Sequence, residues 1–133
     1  MGIFWVRERG FRTRYGNQVT IADRTKQFAI RIIKACYFLD QQAGILRTLS
    51  NQLLRSGTSI GANVREAQSA QSHRDFLSKL EIALKESRET QYWIEILIES
   101  GMVEVSKFKP LLQEATEITK ILIASTKKLK NNP

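Results

Sequence analysis

Residues 56–71, SGTSIGANVREAQSAQ, constrain this chain more than any other stretch. They have the periodicity of a helix but are built from small and polar residues where a helical core would carry Leu. Gly57 and Gly61 stand four apart, one above the other on a single helix face, so a second backbone can approach where side chains would hold it off. Each glycine costs about 1 kcal/mol against Ala in a helix interior. Close packing must return that cost, which places the segment in the middle of an interface rather than in a loop. The alternative is a turn at Ser56 and Gly57 between two shorter helices.

The only prolines are Pro110 and Pro133, and no segment shows sustained strand alternation, so an all-α fold is expected. A first amphipathic pattern runs through Phe28, Ile32, Ala35 and Leu39, with Asp23 capping or neutralising its start. A second runs through Leu46, Leu49, Leu53, Ile60, Val64 and Ala67 in the threes and fours of a coiled-coil-like seam. Capping side chains between Ser72 and Asp75 introduce a third helix with Phe76, Leu80, Ala83, Ser87, Ile94 and either Leu97 or Ile98 inward, closed by Gly101 in the left-handed conformation. Ser106 is expected to cap a fourth helix. It carries Pro110 in its first turns and Phe108, Leu111, Ala115, Ile118, Leu122 and Leu129 along its seam. Short connections between four helices predict an antiparallel up-down-up-down four-helix bundle over residues 21–130.

Beside the apolar row of the second helix, Gln52, Ser56, Ser59, Asn63 and Glu66 form a polar row rotated by about a quarter turn. Partly buried amides and carboxylates need partners, and Arg55 and Arg65 on the same helix or Glu86 and Glu89 on the third are within reach. Such a row suits the lining of a subunit interface or of the inner wall of a ring.

With 133 residues the chain suits one domain, and its 21 Lys and Arg against 13 Asp and Glu give a net charge of +8. RNA or DNA is therefore a natural partner, and an anionic membrane surface a weaker one. The charge is uneven: residues 75–105 hold seven acidic against three basic side chains, and the remaining segments are all basic. Pairs Glu81–Lys85 and Lys85–Glu89 are expected along the third helix. In an assembly, that acidic helix is suited to face a basic helix of the next copy, the alternative being a solvated face. Arg24, Lys26, Arg31, Lys34, Lys127, Lys128 and Lys130 are expected to form a rim contacting phosphates without sequence preference.

Residues 1–20 form a basic aromatic arm outside the bundle. Phe4, Trp5, Phe11 and Tyr15 interleave with Arg7, Arg9, Arg12 and Arg14, a pattern suited to stacking on unpaired bases while guanidinium groups meet phosphates. The alternative is a disordered extension that contributes little to the fold.

Catalysis finds little support. The single histidine, His73, sits at a helix boundary, where it reads as a surface or capping residue, and no Gly-rich phosphate loop follows a strand. Glu86 and Glu89 are three apart but lack the Glu-x-x-His register of di-iron bundles. Tyr92 and Trp93 beside them read as packing or interface residues. Cys36, the one cysteine, reads as an inert packing residue and fits a reducing cytoplasm. No run of about eighteen apolar residues is present to span a membrane, and the N-terminus turns from apolar to basic, the reverse of a secretory signal. A non-enzymatic protein without metal or cofactor is expected, localised to the cytoplasm.

Residues 50–103 resemble the heart of the four-helix-bundle proteins named for open reading frames in intervening sequences of bacterial 23S rRNA genes. The resemblance rests on Ser59, Ile60, Ala62, Asn63, Glu66 and Ala67, then Asp75-Phe76, then Ala83, Leu84, Glu86, Glu89 and Thr90. It extends over roughly residues 24–129, with Gly61 where many relatives have Pro. The resemblance implies an antiparallel four-helix bundle assembling as a ring, a homopentamer. It also implies distant similarity to the accessory bundle of diversity-generating retroelements, which binds nucleic acid and a reverse transcriptase. Two functional readings follow. One is a ring-shaped scaffold binding RNA or DNA through phosphates. The other is a protein-interaction hub or accessory subunit, for example of a reverse transcriptase. A structural oligomer without a macromolecular ligand is the third possibility.

Overall fold

The computed structural model describes residues 7–12, 18–42 and 44–132, with side chains from Val19 onward. Two strands, β1 (Arg7–Arg12) and β2 (Gln18–Thr20), precede four helices, α1 (Ile21–Asp40), α2 (Ile45–Gln68), α3 (His73–Glu99) and α4 (Val105–Asn131). Consecutive helices pack as antiparallel neighbours and α1 closes on α4, giving the four-helix bundle. The strands depart from the all-helical expectation. They pair antiparallel, Arg7 opposite Thr20 and Arg12 opposite Gln18, with a register shift between. The β1 sequence RERGFR has little apolar against polar alternation, so periodicity carried almost no signal for it. Phe4, Trp5, Arg14 and Tyr15 of the arm lie outside the described residues.

Local chemistry sets the helix ends. Thr20 caps α1 by accepting from the Asp23 backbone N–H at 3.0 Å, and its hydroxyl donates to the Asp23 carboxylate at 2.9 Å. Asp23 is thus a first-turn acid held by the hydroxyl of the cap residue Thr20. Ser72 repeats the device on α3, accepting from Asp75 N–H at 3.0 Å. Gly101, at φ 77°, supplies the left-handed residue after α3. The α4 start differs from expectation: Glu104 is the cap residue and makes no side-chain bond, and Ser106 lies inside the first turn. A Val at the first helical position costs little in an exposed turn, so the helix extends past the better cap.

Helix α2 runs unbroken through Gly57 and Gly61, which excludes the turn at Ser56. A Cβ on Gly57 would stand 2.8 Å from the Ile32 side chain, and one on Gly61 would stand 3.2 Å from the Thr25 carbonyl oxygen. The backbone these glycines admit is therefore α1 of the same chain. The core beneath is built from Phe28, Ile32 and Leu39 of α1, Leu53 and Ile60 of α2, Leu80, Ile94 and Leu97 of α3, and Ile118 and Leu122 of α4. One polar knot interrupts it. Thr119 Oγ1 lies 3.0 Å from Ser87 Oγ and 2.9 Å from Gln91 Oε1, and Gln91 Nε2 donates to Thr116 Oγ1 at 3.1 Å. A buried network of this kind is satisfied in one register only, so it fixes how α3 and α4 slide along each other.

Candidate nucleic-acid interface

Antiparallel order brings the starts of α1 and α3 and the ends of α2 and α4 to one end of the bundle. His73 Nε2, at the start of α3, lies 3.1 Å from the Leu129 carbonyl near the end of α4. Strand β2 leads without a break into α1, so the ribbon carrying Arg7, Arg9 and Arg12 stands at the same end. Exposed cations from all four helices meet there: Lys26, Arg65, Arg74, Lys127 and Lys128. None of these five forms an ion pair among the described residues. The local acids are engaged, Asp23 and Asp75 in the caps and Glu66 with Lys79 at 3.2 Å. Arg65, Lys127 and Lys128 also sit where helix C-termini favour positive charge, which gives them a structural use as well.

The expected phosphate rim is thus partly gathered and partly dismantled. Arg24 is buried and makes two bonds to Glu114, Nε to Oε2 at 2.6 Å and Nη2 to Oε1 at 2.7 Å. It ties α1 to α4 and is not available to phosphate, a correction to the sequence reading. Its polar head gave no hint of this, because Glu114 is 90 residues away in sequence. Lys130 remains exposed but lies 3.8 Å from Glu81. Arg31 and Lys34 are exposed on α1 but sit about 7.5 and 12 Å farther along the axis than Lys26, at 1.5 Å per residue. Conversely, Arg74 joins the cluster although nothing in its sequence surroundings marked it. Only the antiparallel topology places it there.

The polar row of α2 satisfies itself. Ser56 donates to the Leu53 carbonyl, Ser59 to the Ser56 carbonyl at 2.9 Å, and Asn63 Nδ2 to the Ser59 carbonyl at 2.8 Å, while Gln52 faces solvent and Glu66 pairs with Lys79. Across the α2–α3 face, Arg55 reaches Glu86 at 3.3 Å and also Glu89, which accepts from Trp93 Nε1 at 3.0 Å. Arg65 stands at the bundle end instead of joining these carboxylates. The expected pairs along α3 do not form: Glu89 turns to Arg55 and Glu81 to Lys130. Much of the acidity of α3 is therefore offset by α2 and α4 of its own chain.

Cys36 is buried, with its thiol near the Ser50 carbonyl at 3.5 Å and the Ser50 hydroxyl donating back to the Cys36 carbonyl at 3.3 Å. Burial pushes the thiol pKa up from its ordinary value, the Ser50 bond lowers it somewhat, and Asp40 adds to the rise. The reactive thiolate is accordingly scarce near neutral pH. A disulfide exchange reagent is expected to modify Cys36 no faster than the bundle opens. Rapid modification of folded protein, monitored by absorbance, would contradict that placement. Among the described residues no group of three His, Cys, Asp or Glu is placed to hold a metal ion, and no helix is long and apolar enough to cross a membrane.

Fold and site define an all-helical bundle of antiparallel up-down-up-down form, with five exposed cations brought to one end and no metal cluster among the described residues. The family model described as 23S rRNA-intervening sequence protein matches residues 17–124, and the chain belongs to that family. It is similar, at 44% identity and a TM-score of 0.75, to a crystal structure from Bacteroides thetaiotaomicron VPI-5482. That structure is of a protein with unknown function from the S23 ribosomal protein family, and the match covers 81% of this chain and 99% of that one. No match is found among curated proteins.

Proposed function

We propose that this protein is a non-enzymatic cytoplasmic scaffold that assembles as a ring-shaped homopentamer and binds RNA or DNA largely through phosphate contacts at its basic end. The observation that carries this reading is the gathering of Lys26, Arg65, Arg74, Lys127 and Lys128 at one end with no carboxylate paired to any of them among the described residues. Five unpaired cations from four separate helices make a field that a polyanion relieves, and such contacts carry no base information.

The test is fluorescence anisotropy with short labelled RNA and DNA homopolymers, titrated between about 50 and 200 mM salt. Lys127→Gln with Lys128→Gln is expected to weaken binding to every sequence alike, about tenfold, and to reduce the salt slope by about 1.5. Unchanged affinity and slope would remove the basic end from the site. A second reading, a protein-interaction hub or accessory subunit such as one serving a reverse transcriptase, is favoured by the exposed apolar side chains Ile30, Ile33 and Tyr37 on α1. It predicts salt-tolerant capture of one specific polypeptide.

A further inference from the structure

Beside the close contact that Gly57 and Gly61 allow, the solvent side of the α1–α2 seam is left unfilled. Ala22, Lys26 and Ala29 share one face of α1, and Thr58, Ala62 and Arg65 share one face of α2. The antiparallel register that sets Gly61 against Thr25 and Ser50 against Cys36 lays these two faces side by side. Because the side chains between them are so small, they leave a groove of about 320 Å³, with Lys26 on the α1 wall and Arg65 on the α2 wall. Both cations are exposed, and neither forms an ion pair among the described residues.

The groove is electropositive as well as concave, since no carboxylate lines it among the described residues. Helices α1 and α2 carry Asp23, Asp40 and Glu66. The Asp23 carboxylate, next to Ala22, accepts from the Thr20 hydroxyl at 2.9 Å and is a single charge against two. Glu66 pairs with Lys79 of α3 at 3.2 Å. Asp40 lies about 21 Å along the axis from Lys26, at 1.5 Å per residue. On the other flank of α1, Glu114 of α4 is held by Arg24.

We infer that this groove seats an unpaired nucleotide, so that the basic end binds single strands in preference to duplexes. The inference rests on the nucleic-acid reading and narrows it. Lys26 and Arg65 belong to the basic cluster, so a strand that neutralises that end passes the mouth of the groove. In a single strand the bases turn out from the backbone while cations hold the phosphates. In a duplex they are stacked inside, and the backbone meets the exposed cations without entering a groove of this size. The floor selects for an unpaired base and against none in particular: Ala22, Ala29, Gly61 and Ala62 offer only apolar contact, and the Thr58 hydroxyl already donates to the Leu54 carbonyl at 2.7 Å. The other anionic occupant, an acidic amphipathic helix, anchors through a row of large side chains. A groove of this extent has room for one flat group and not for a row.

Fluorescence anisotropy at one fixed salt concentration tests the groove, with a labelled single-stranded homopolymer and a labelled duplex of equal length. The parent chain is expected to bind the single strand about tenfold more tightly, which is what contact over roughly 55 Å² of apolar surface is worth. Ala62→Leu fills the groove and leaves every cation in place. Ala62 is exposed, and an unchanged urea midpoint establishes that the bundle is intact. This variant is expected to lose the single-strand preference with its duplex affinity unchanged, whereas Ala62→Ser, which leaves the groove open, keeps it. Equal affinity of the parent for both forms would overturn the groove and leave the basic end standing. So would an Ala62→Leu variant that retains the preference or weakens both forms alike. If Ala62→Leu weakened binding of poly-glutamate and spared the strand, the groove would belong to an acidic polypeptide and the inference would fail. A parent chain that binds neither form would remove the nucleic-acid reading and the groove with it.

Discussion

Replacing Arg24 by Ala is expected to cost about 3 to 5 kcal/mol of folding stability, the range found when one partner of a buried ion pair is removed. The Arg24 side chain is 10% exposed and the Glu114 side chain 18%, so the carboxylate left behind has little access to water. The two bonds run from different guanidinium nitrogens to different carboxylate oxygens, a fork that Lys cannot reproduce, so Arg24→Lys recovers only part of the loss. Replacing both partners, Arg24→Leu with Glu114→Leu, removes the desolvated charges together and is expected to return most of the stability. Denaturant unfolding of the parent, Arg24→Leu, Glu114→Leu and the double variant forms a double-mutant cycle. A cost below about 1 kcal/mol for the alanine variant would show the pair to be solvated like an ordinary surface bridge. A loss of nucleic-acid affinity without a loss of stability would return Arg24 to the phosphate rim.

The contrast between Arg24 and Lys26 marks what the sequence could express. The apolar seams were legible because burial imposes a period on side chains: Phe28, Ile32, Leu53, Ile60, Leu80, Ile94, Ile118 and Leu122 are all core residues. The capping signals of α3 and Gly101 were legible for an equally local reason, since Ser72 and Asp75 or a positive φ act within one turn. Pairings between helices were not. Arg24 with Glu114, Arg55 with Glu86 and Glu89, and Thr119 with Ser87 and Gln91 depend on which helix faces which and at what height. Composition predicted a basic protein, and the bundle order brought five of its exposed cations, Arg74 and Arg65 among them, to one end. Neither residue carries a local mark that separates it from Arg31. The ribbon escaped for a different reason: a strand of alternating charges and glycine has almost no hydrophobic period to read.

Gly57→Leu is expected to destabilise the bundle by at least about 3 kcal/mol, at the upper end of the cost of overpacking a close-packed core. A Cβ at this position already stands 2.8 and 2.9 Å from the two γ carbons of Ile32, and Ile32 is fully buried with a stiff, branched side chain. Relief requires α1 and α2 to move apart, which also strips Cys36 and Ser50 of their reciprocal contact farther along the same pair. Gly57→Ala sets two effects against each other. Helix propensity returns about 1 kcal/mol, while the clash costs about 1 to 3 kcal/mol, so a net loss of about 1 kcal/mol is expected. Gly61→Ala meets the Thr25 carbonyl at 3.2 Å, a contact relieved by a few tenths of an ångström, and is expected to lie nearer to neutral. The order Leu at 57, Ala at 57, Ala at 61 therefore ranks the damage, and urea unfolding of the three variants measures it. If Gly57→Leu unfolded at the same midpoint as the parent chain, the close approach of α1 to α2 would be wrong. The segment that most constrains the sequence would then owe its glycines to something other than packing within the bundle.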